Sequence, residues 1–352
     1  MTSSSLGPVV VYGAYGHTGR FVVDELLRRG LTPILSGRDE TRLEAMRAGR
    51  PGLEIRPARV DDPASLRGAL SGAAAVINVA GPFLDTGVIV SEAAVAAGAH
   101  YLDVTAEQPA VEAVYAARAA DAEQAGVAVI PAMAFYGGLA DLLATAVLAG
   151  ETEPASLTVA IGLDRWWPTA GTRLTGTRNT APRRTIVDGR LAPLPDSVPR
   201  DTWHFTEGFE QAVVAVPFSE PVLIARHLPV DRLYSYLSAS ALSDIRDPAT
   251  PPPPADDDRG RSSQQFVVDV VAQVGAQTHR IAASGRDIYA ATAPLIVEAT
   301  ARLLDGRATR TGVVAPGEVF DAEDFLRALT PNTLTLRREV TATGRDPQAM
   351  SA

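Results

Sequence analysis

The chain contains no cysteine and no lysine, so arginine accounts for all 32 of its basic residues. Without cysteine the protein has no disulfide, no thiolate nucleophile and no cysteine-ligated zinc or iron–sulfur site. Without lysine it lacks Schiff-base chemistry, the lysine of Walker-type phosphate loops and the Tyr-x-x-x-Lys pair with which short-chain dehydrogenases protonate a carbonyl. These absences exclude mechanisms without suggesting one.

Charge and hydropathy exclude further classes of function. The formal net charge is -9 over 352 residues, which argues against nucleic acid or an anionic membrane as a partner. No apolar run reaches the roughly 18 residues that a membrane span needs, and the first residues carry neither the basic region nor the apolar core of an export signal. We therefore expect a cytoplasmic protein. The five histidines show no paired spacing such as H-E-x-x-H, and we predict no metal.

An apolar run at residues 9–12 leads into three evenly spaced glycines and then into a helical pattern. In a strand–turn–helix of this kind the glycines let the backbone approach a dinucleotide diphosphate, and the N–H groups of the helix start bind its charge. The spacing is G-x-x-G-x-x-G instead of G-x-G-x-x-G, but the position between a strand and a helix supports the motif. The cofactor-binding residues predicted in this turn are Gly13, Tyr15, Gly16, His17, Thr18 and Gly19.

A second strand, predicted at residues 33–35, ends in Ser36 and Arg38, about 20 residues beyond the glycine turn. An NAD site places an acid there for the ribose 2′-hydroxyl, whereas a hydroxyl and a guanidinium suit a 2′-phosphate. Arg42 adds a second guanidinium one helical turn later, and Asp39 is interpreted as a helix cap. We therefore predict NADP(H) as the cofactor, bound at its phosphate by Ser36 and Arg38.

Short apolar strands alternate with helical patterns through the first 140 residues. Strands are predicted at 9–12, 33–35, 53–60, 74–80, 100–105 and 127–130. This alternation predicts an α/β fold with a Rossmann doubly wound parallel sheet. The nicotinamide half of a dinucleotide runs along the carboxyl edge of such a sheet. The residues that follow the fourth strand are therefore further cofactor-binding candidates: Ala80, Gly81, Pro82 and Phe83.

Beyond residue 150 the pattern changes to strands without regular helical alternation. These strands are predicted at 157–163, 184–187, 212–216, 222–225 and 232–238, followed by a hairpin of 266–274 with 277–283 and a helix at 288–304. The pattern predicts a second α+β domain on a mixed or antiparallel sheet. The expected organisation is a Rossmann domain at 1–140, an inserted substrate or oligomerisation domain at 141–285, a helix returning to the first domain within 286–330 and a polar tail at 331–352.

Catalytic candidates follow from the expected carboxyl edge of the sheet and from the domain that faces it. Tyr101 and Asp103 share one face of their strand, which suits a proton donor and the group that orients it. Tyr136 follows the sixth strand, and His204 and His227 in the second domain could titrate near neutrality. Each also has a structural interpretation, as a half-buried strand residue, a cap or a surface histidine. Glu107, at the same edge, is equally well explained as an acid in the first turn of a helix.

Substrate contacts are predicted from two stretches of the second domain. Trp166, between Arg165 and Trp167, could line an apolar pocket or lie at an oligomer interface, where Trp and Arg are enriched. Arg173 and Asn179 lie in a Gly/Thr-rich stretch, interpreted as a loop, that could hold a carboxylate or phosphate. The strand-rich second domain and its tryptophan pair predict a homodimer.

Several stretches resemble the saccharopine dehydrogenase-like NADP-binding reductases, which include the trans-acting enoyl reductases. They are GAYGHTGR at 13–20, LSGRDE at 35–40, VINVAGPF at 76–83, HYLDVTAE at 100–107, GTRLTGTRN at 171–179 and GRDIYAATAPLIVEA at 285–299. The resemblance implies a Rossmann domain, an inserted domain, a late helix that returns to the first domain, and NADP(H)-dependent oxidoreduction. It does not imply a substrate. The basic substrate-binding residues of the saccharopine enzyme have no match here, which argues against lysine biosynthesis.

The function predicted from these features is NADPH-dependent reduction of a C=N or polarised C=C bond in a small molecule, in specialised metabolism. Two alternatives remain open at this point. One is a redox-neutral enzyme with a tightly bound NAD(P), and the other is a non-catalytic regulator that binds NADP(H).

Overall fold

The computed structural model describes residues 6–195 and 201–342. The strands are β1 Pro8–Tyr12, β2 Thr32–Gly37, β3 Glu54–Pro57, β4 Ala75–Asn78, β5 His100–Asp103, β6 Ala128–Ile130, β7 Ala155–Leu163, β8 Arg184–Val187, β9 Arg190–Pro193, β10 Asp201–His204, β11 Glu210–Ala215, β12 Val230–Ser238, β13 Gln265–Val274, β14 Gln277–Arg286, β15 Gly312–Val313 and β16 Leu334–Ala342. The helices are α1 His17–Arg28, α2 Glu40–Ala48, α3 Pro63–Leu70, α4 Phe83–Ala96, α5 Gln108–Ala125, α6 Gly138–Val147, α7 Ala170–Arg178, α8 Glu220–Ile224, α9 Ala239–Arg246, α10 Ile288–Leu304, α11 Pro316–Val319 and α12 Ala322–Ala328.

The first sheet is parallel throughout and has the strand order β15-β6-β5-β4-β1-β2-β3. Its central strands are near-continuous apolar runs because helices cover both faces, and the valines of β1 have no exposed surface. The strand order reverses between β1 and β4, and a ligand of such a sheet binds outside the carboxyl ends at this point. The predicted Rossmann sheet is confirmed.

The second sheet is mixed, with the order β10-β11-β12-β7-β13-β14-β16. β7 pairs with β12 in parallel and with β13 antiparallel. One face of this sheet and α6 belong to the same apolar core as β1, so the two sheets share a continuous interior. Just beyond the carboxyl end of β4, Gly81 lies against Thr175 of α7, so this edge of the first sheet meets the part of the chain that carries the second sheet.

Two local expectations were wrong. Residues 222–225, expected as a strand, lie in and just after α8, where Pro221 occupies the first turn, a position in which proline stabilises a helix. The Gly/Thr-rich stretch expected as a loop forms α7, because the Thr169 side chain caps its start by accepting the N–H of Thr172 at 3.0 Å. A short apolar run and a glycine-rich run are both ambiguous between helix and other structure when only the sequence is considered.

Part of the expected polar tail, 331–352, is a strand of the second sheet. Residues 334–342 form β16, which pairs antiparallel with β14 along its whole length. Leu334 is buried and most of the following residues of β16 are exposed, as expected for the end strand of a sheet. Residues 343–352 lie outside the described part of the chain. The chain returns to the first domain as expected, since α10 packs on α1 and β15 pairs with β6, and the bounds of the domains stay predictions.

Candidate functional site

The turn between β1 and α1 brings three backbone segments together so closely that only glycine fits. A Cβ on Gly13 would lie 2.9 Å from the backbone nitrogen of Ala80, and Gly13 has a φ of +92°. A Cβ on Gly19 would lie 2.5 Å from the carbonyl oxygen of Gly13. Gly16 is the N-cap of α1 and brings no side chain to the helix start, so the first N–H groups remain available to an anion. This is the geometry that a diphosphate-binding turn requires.

His17 and Thr18 begin α1 at this turn. The His17 ring meets Phe21 and Tyr289 edge-on, with ring centroids 5.3 Å apart in each pair. Burial lowers the pKa of His17, so the ring is neutral at physiological pH. Its buried Nε2 has no hydrogen-bond partner among the described residues. Thr18 is half-buried beside it. An unpartnered ring nitrogen beside a helix start, next to glycines that admit no Cβ, fits a bound dinucleotide.

The side chain of Ser36 is buried in the sheet, whereas the prediction places it at the cofactor phosphate. It is fully buried, and its hydroxyl donates to the carbonyl of Arg56 at 2.7 Å. Its own carbonyl accepts the N–H groups of Gly13 and Ala14, at 2.8 and 3.1 Å. The hydroxyl is thus committed to the sheet, and Ser36 holds the glycine turn through its backbone. The role predicted for its side chain at the 2′-phosphate gains no support from these contacts.

The two guanidinium groups lie beyond the end of β2, on Arg38 and on Arg42 of α2. Arg38 is exposed, and the Arg42 guanidinium lies over the Tyr15 ring, 4.4 Å from its centroid. Gly37 makes room for this ring, because a Cβ there would lie 2.8 Å from Tyr15 Cε1. Asp39 caps α2 as predicted, accepting the N–H of Arg42 at 3.0 Å. Two arginines and an aromatic ring at this corner suit the phosphate and base of an adenosine half.

Tyr101 and Asp103, predicted as donor and orienter, lie inside the protein with no exposed surface. The Tyr101 hydroxyl donates to Asp103 at 2.9 Å and accepts from the Asn78 amide at 3.1 Å. The other Asp103 oxygen accepts the N–H groups of Thr105 and Ala132, at 3.0 and 2.8 Å. Burial raises the pKa of Asp103 to about 6. The network joins the ends of β4, β5 and β6, so these side chains position the edge of the sheet without being exposed to a ligand.

Glu107 caps the start of α4 at this edge, a role that its sequence context does not indicate. It is 1% exposed, and its Oε2 accepts the N–H of Phe83, the first residue of α4, at 3.1 Å. Its Oε1 is buried and without a hydrogen-bond partner in the described ranges. Burial, together with the nearby carboxylates of Asp103 and Asp85, raises the pKa of Glu107 to about 7. No sequence pattern indicates this cap, because 24 residues separate the carboxylate from the N–H that it accepts.

The turn at residues 80–83 is held from both domains. Ala80 donates its N–H to Asn78 at 3.0 Å, and its carbonyl accepts from the Thr86 hydroxyl at 2.7 Å. From the second domain, α7 lies over the turn: a Cβ on Gly81 would lie 3.1 Å from Thr175 Oγ1. The side chain of Arg178 at the end of α7 pairs with Asp85 in the first turn of α4, at 2.6 Å. Ala80, Gly81, Pro82 and Phe83 therefore lie between the first sheet and α7.

Tyr136 lies in a cluster of aromatic rings contributed by both domains. Its ring centroid is 4.9 Å from Phe135, 4.1 Å from Phe218 and 5.3 Å from Trp166. Burial raises the pKa of Tyr136 well above its ordinary value, so the phenol stays protonated. Its hydroxyl is buried and finds no hydrogen-bond partner in the part of the chain that the structure describes. The hydroxyl of Tyr136, unlike that of Tyr101, is therefore available to bond a ligand.

The predicted substrate residues are divided between the core and α7. Trp166 is buried, and its Nε1 donates to the Tyr289 hydroxyl at 3.0 Å, so it packs within the chain and is not free for an oligomer interface. Arg173 donates to backbone carbonyls at residues 247 and 250, at 3.1 and 2.7 Å, and so fastens α7 to a neighbouring loop. Asn179 is the C-cap of α7, and its buried Oδ1 is unpartnered among the residues described.

The two candidate histidines are not brought to the carboxyl edge by any described contact. His204 is exposed on β10, the end strand of the second sheet, 3.3 Å from Glu210. His227 pairs with Asp141 at 2.8 Å, and Asp141 also accepts the N–H of Gly317 at 2.7 Å. Burial lowers the pKa of His227, but the adjacent Asp141 carboxylate outweighs this effect and raises the pKa above its usual value. Asp141 thus fastens α6 both to the segment after α8, through His227, and to α11, through Gly317.

Three observations concern the remainder of the described chain. Within residues 6–195 and 201–342, no group of three or more metal-ligating side chains is placed to hold a metal ion. In the same ranges, no helix combines the length and the apolar character needed to cross a membrane. A cavity of about 420 Å³, bordered by Asp164, Glu207 and Phe266, adjoins none of the predicted site residues.

Comparison with known sequences and structures agrees with this geometry. Residues 9–130 match the sequence model of the saccharopine dehydrogenase NADP binding domain. Over the whole chain the fold is that of saccharopine dehydrogenase (L-Glu forming) from Saccharomyces cerevisiae, with a TM-score of 0.67, 14% identity and coverage of 96% of this chain and 100% of that one. At this identity the likeness shows the fold alone.

Relatives of higher identity match only part of the chain. A lipid droplet localized protein of Caenorhabditis elegans is 34% identical over 146 residues, covering 38% of this chain and 34% of that protein. A saccharopine dehydrogenase-like oxidoreductase of Bos taurus is 31% identical over 152 residues, covering 38% of this chain and 35% of that protein. The matches thus span about a third of the length of these relatives.

Proposed function

Because residues 9–130 match the saccharopine dehydrogenase NADP binding domain, we propose that this chain is an NADPH-dependent oxidoreductase. Its substrate is a small molecule with a C=N or polarised C=C bond. The observation that carries the proposal is the Tyr136 hydroxyl, buried without a partner among the described residues, where rings of both domains meet.

The cofactor would be held along the edge between β1, β4 and α7. The first N–H groups of α1 bind the diphosphate, Arg38 and Arg42 contact the 2′-phosphate, and the turn at 80–83 receives the nicotinamide half. Bound NADPH supplies the hydride. The protein supplies the placement: Glu107 fixes the start of α4 through the N–H of Phe83, and α7 covers the turn from the second domain.

Tyr136 would act on the substrate as a hydrogen-bond donor. A buried hydroxyl without a partner costs about 1–3 kcal/mol, and a substrate nitrogen or oxygen would recover this free energy. Because burial raises the pKa of Tyr136, the phenol donates a hydrogen bond and retains its proton as negative charge develops on the reduced group, and a proton from solvent completes the reduction after hydride transfer. The rings of Phe135, Phe218 and Trp166 would exclude water from the reacting bond. The chain has no lysine that could pair with a tyrosine in the manner of carbonyl-reducing short-chain enzymes.

The test combines cofactor titration with a substrate panel. We expect the purified full chain to bind NADPH more tightly than NADH and to consume NADPH with imines or α,β-unsaturated carbonyl compounds, followed by NADPH absorbance. Tyr136→Phe should lower kcat by about 10²-fold with NADPH affinity unchanged. Tyr115→Phe is the matched control, since Tyr115 also carries a buried hydroxyl without a described partner. Tyr115 lies on α5, with the Arg226 guanidinium over its ring, and is not part of the aromatic cluster around Tyr136.

Other outcomes would favour the alternatives. Product formation without net NADPH consumption would indicate a redox-neutral enzyme with a tightly bound cofactor. Binding of NADPH without turnover of any compound in the panel would indicate a regulator. An equal loss of activity in Tyr136→Phe and Tyr115→Phe would contradict the role given to Tyr136.

We also propose a cytoplasmic location, a role in specialised metabolism and a homodimer. Because Trp166 is buried within the chain, the dimer proposal rests on the strand-rich second domain, and light scattering should give twice the chain mass of 37.0 kDa. Relatives are named as lipid droplet localized or mitochondrial. Fractionation should therefore include these compartments, and recovery in either one would contradict the cytoplasmic location.

A further inference from the structure

Tyr289, near the start of α10, holds the segment that leads into α7 through its hydroxyl. The Nε1 of Trp166 donates to this hydroxyl at 3.0 Å, and Thr172 Oγ1 lies 3.0 Å from it. The hydroxyl itself donates to the carbonyl of Trp167 at 3.2 Å. The N–H of Thr169 also donates to the hydroxyl at 3.4 Å, so one side-chain atom of α10 fixes four points along the segment of the second domain that runs into α7.

The ring of the same tyrosine touches the helix that begins at the glycine turn. His17, the first residue of α1, meets the Tyr289 ring edge-on. An ion pair between Arg29, just beyond the end of α1, and Glu298 of α10 joins the two helices further along. Closely packed side chains transmit displacements because they leave little space to absorb them. A group that binds at the first turn of α1 therefore restricts Tyr289 through His17.

α7 has few other contacts that keep it in place. None of its residues is buried. It makes polar contacts with the rest of the chain through Arg173, which bonds a neighbouring loop, and through Arg178, which pairs with Asp85. Most of the stability of a short helix comes from packing an apolar face, which α7 lacks. Its place over the turn at 80–83 therefore depends on these polar contacts and on the segment that Tyr289 holds.

We propose that Tyr289 is a positioning residue that couples the occupied cofactor site to α7, so that NADP(H) bound at α1 keeps α7 over the turn at 80–83. The inference rests on the proposed function, because it takes NADP(H) as the group that binds at α1. The cofactor limits the movement of His17, and His17 in turn limits Tyr289. Since α7 completes the wall of the site, the substrate meets a formed site only after the cofactor has bound, and binding is ordered.

Hydrogen–deuterium exchange of the full chain, with and without NADP⁺, tests this coupling. In the wild type, NADP⁺ should slow amide exchange at residues 13–19 and also at 165–178, by about fivefold or more in the second segment. Tyr289→Phe removes the hydroxyl and leaves the ring against His17. This variant should bind NADP⁺ as the wild type does, with slowed exchange at 13–19 but no slowing at 165–178. Tyr234→Phe, on the second sheet, is the control and should behave as the wild type.

A second variant keeps the test decisive if Tyr289→Phe folds poorly. Thr172→Val removes the contact of the Tyr289 hydroxyl with α7 itself, at a half-buried position, and should also abolish the slowing within α7, at 170–178. Slowing at 13–19 without slowing at 165–178 in the wild type would overturn the coupling and leave the cofactor site intact. Slowing at 170–178 that survives in both variants would overturn the role of Tyr289. No effect of NADP⁺ anywhere in the wild type would instead overturn the proposed function.

Discussion

Glu107→Gln should stabilise the protein at alkaline pH relative to the wild type, by an amount that grows with pH and then levels off. The pKa of this carboxyl is raised by burial from 4.5 to about 7 in the folded protein. Between these values the folded chain holds a proton that the unfolded chain has released. The stability of the wild type therefore falls as pH rises through this window, and the loss is complete above the folded pKa.

The magnitude follows from the two pKa values. At 1.36 kcal/mol per pKa unit, the difference corresponds to about 3 kcal/mol of the free energy of unfolding. Glutamine does not titrate, and its Oε1 can accept the N–H of Phe83 as the carboxylate does. The amide adds a fixed difference in stability that is the same at every pH. Asp103 titrates in both proteins, so its contribution largely cancels from the comparison.

Urea unfolding followed by tryptophan fluorescence, at intervals from pH 5 to pH 9, measures this difference. At each pH the free energy of unfolding of the wild type is subtracted from that of Glu107→Gln. This difference should rise by about 2–3 kcal/mol from pH 5 to pH 9. Glu112→Gln, on the same helix but with a third of its side chain exposed, is the control and should give a much smaller change. A difference that stays constant from pH 5 to pH 9 would refute the burial argument for Glu107.

Three further predictions concern the cofactor turn and the α1–α10 contact. Arg38→Ala should weaken NADPH binding by about 10- to 100-fold and leave NADH binding unchanged in fluorescence titrations, whereas Arg67→Ala on α3 should change neither. Gly19→Ala should destabilise the protein in thermal unfolding by about 1–3 kcal/mol and impair NADPH binding, because its Cβ would lie 2.5 Å from a backbone oxygen. Gly68→Ala, with open space around it, should be neutral or slightly stabilising, and equal losses in the two glycine variants would contradict the packing argument. Glu298→Ala should cost about 3 kcal/mol in urea unfolding, since it removes a buried carboxylate that pairs with Arg29 and Arg302 and leaves the buried Arg302 with Asp324 as its acidic partner; a loss below 1 kcal/mol would contradict this.

Features with a local cause could be predicted from the sequence. The strands of the first sheet are short runs of Val, Ile, Leu and Ala because helices cover both faces, and this pattern identifies them without knowledge of their neighbours. The glycine turn was recognisable because the positions of Gly13 and Gly19 admit no side chain. Asp39 as a cap and the β13–β14 hairpin are local in the same sense, and both are confirmed.

Features that depend on distant partners could not be predicted in this way. Ser36 looked like a ligand for a 2′-phosphate because its hydroxyl stands at the end of a strand, but its partner is a carbonyl on the neighbouring strand. Glu107 looked like an acid in the first turn of its own helix, although it caps α4. Tyr101 and Asp103 share a face as predicted, yet only the packing of helices against β5 shows that this face is closed to solvent. The alternation of side chains along a strand shows which face of the sheet a residue lies on, but it does not show which element covers that face.

The late segments β15 and β16 have a consequence for synthesis of the protein. The first sheet gains its strand at 312–313 and the second gains its strand at 334–342, so neither sheet is complete until most of the chain has left the ribosome. Until then β14 presents an unpaired edge, and such an edge is a template for pairing with another nascent chain. Translation speed and chaperone access over the final third of the message should therefore affect the yield of folded protein more strongly than those over the first.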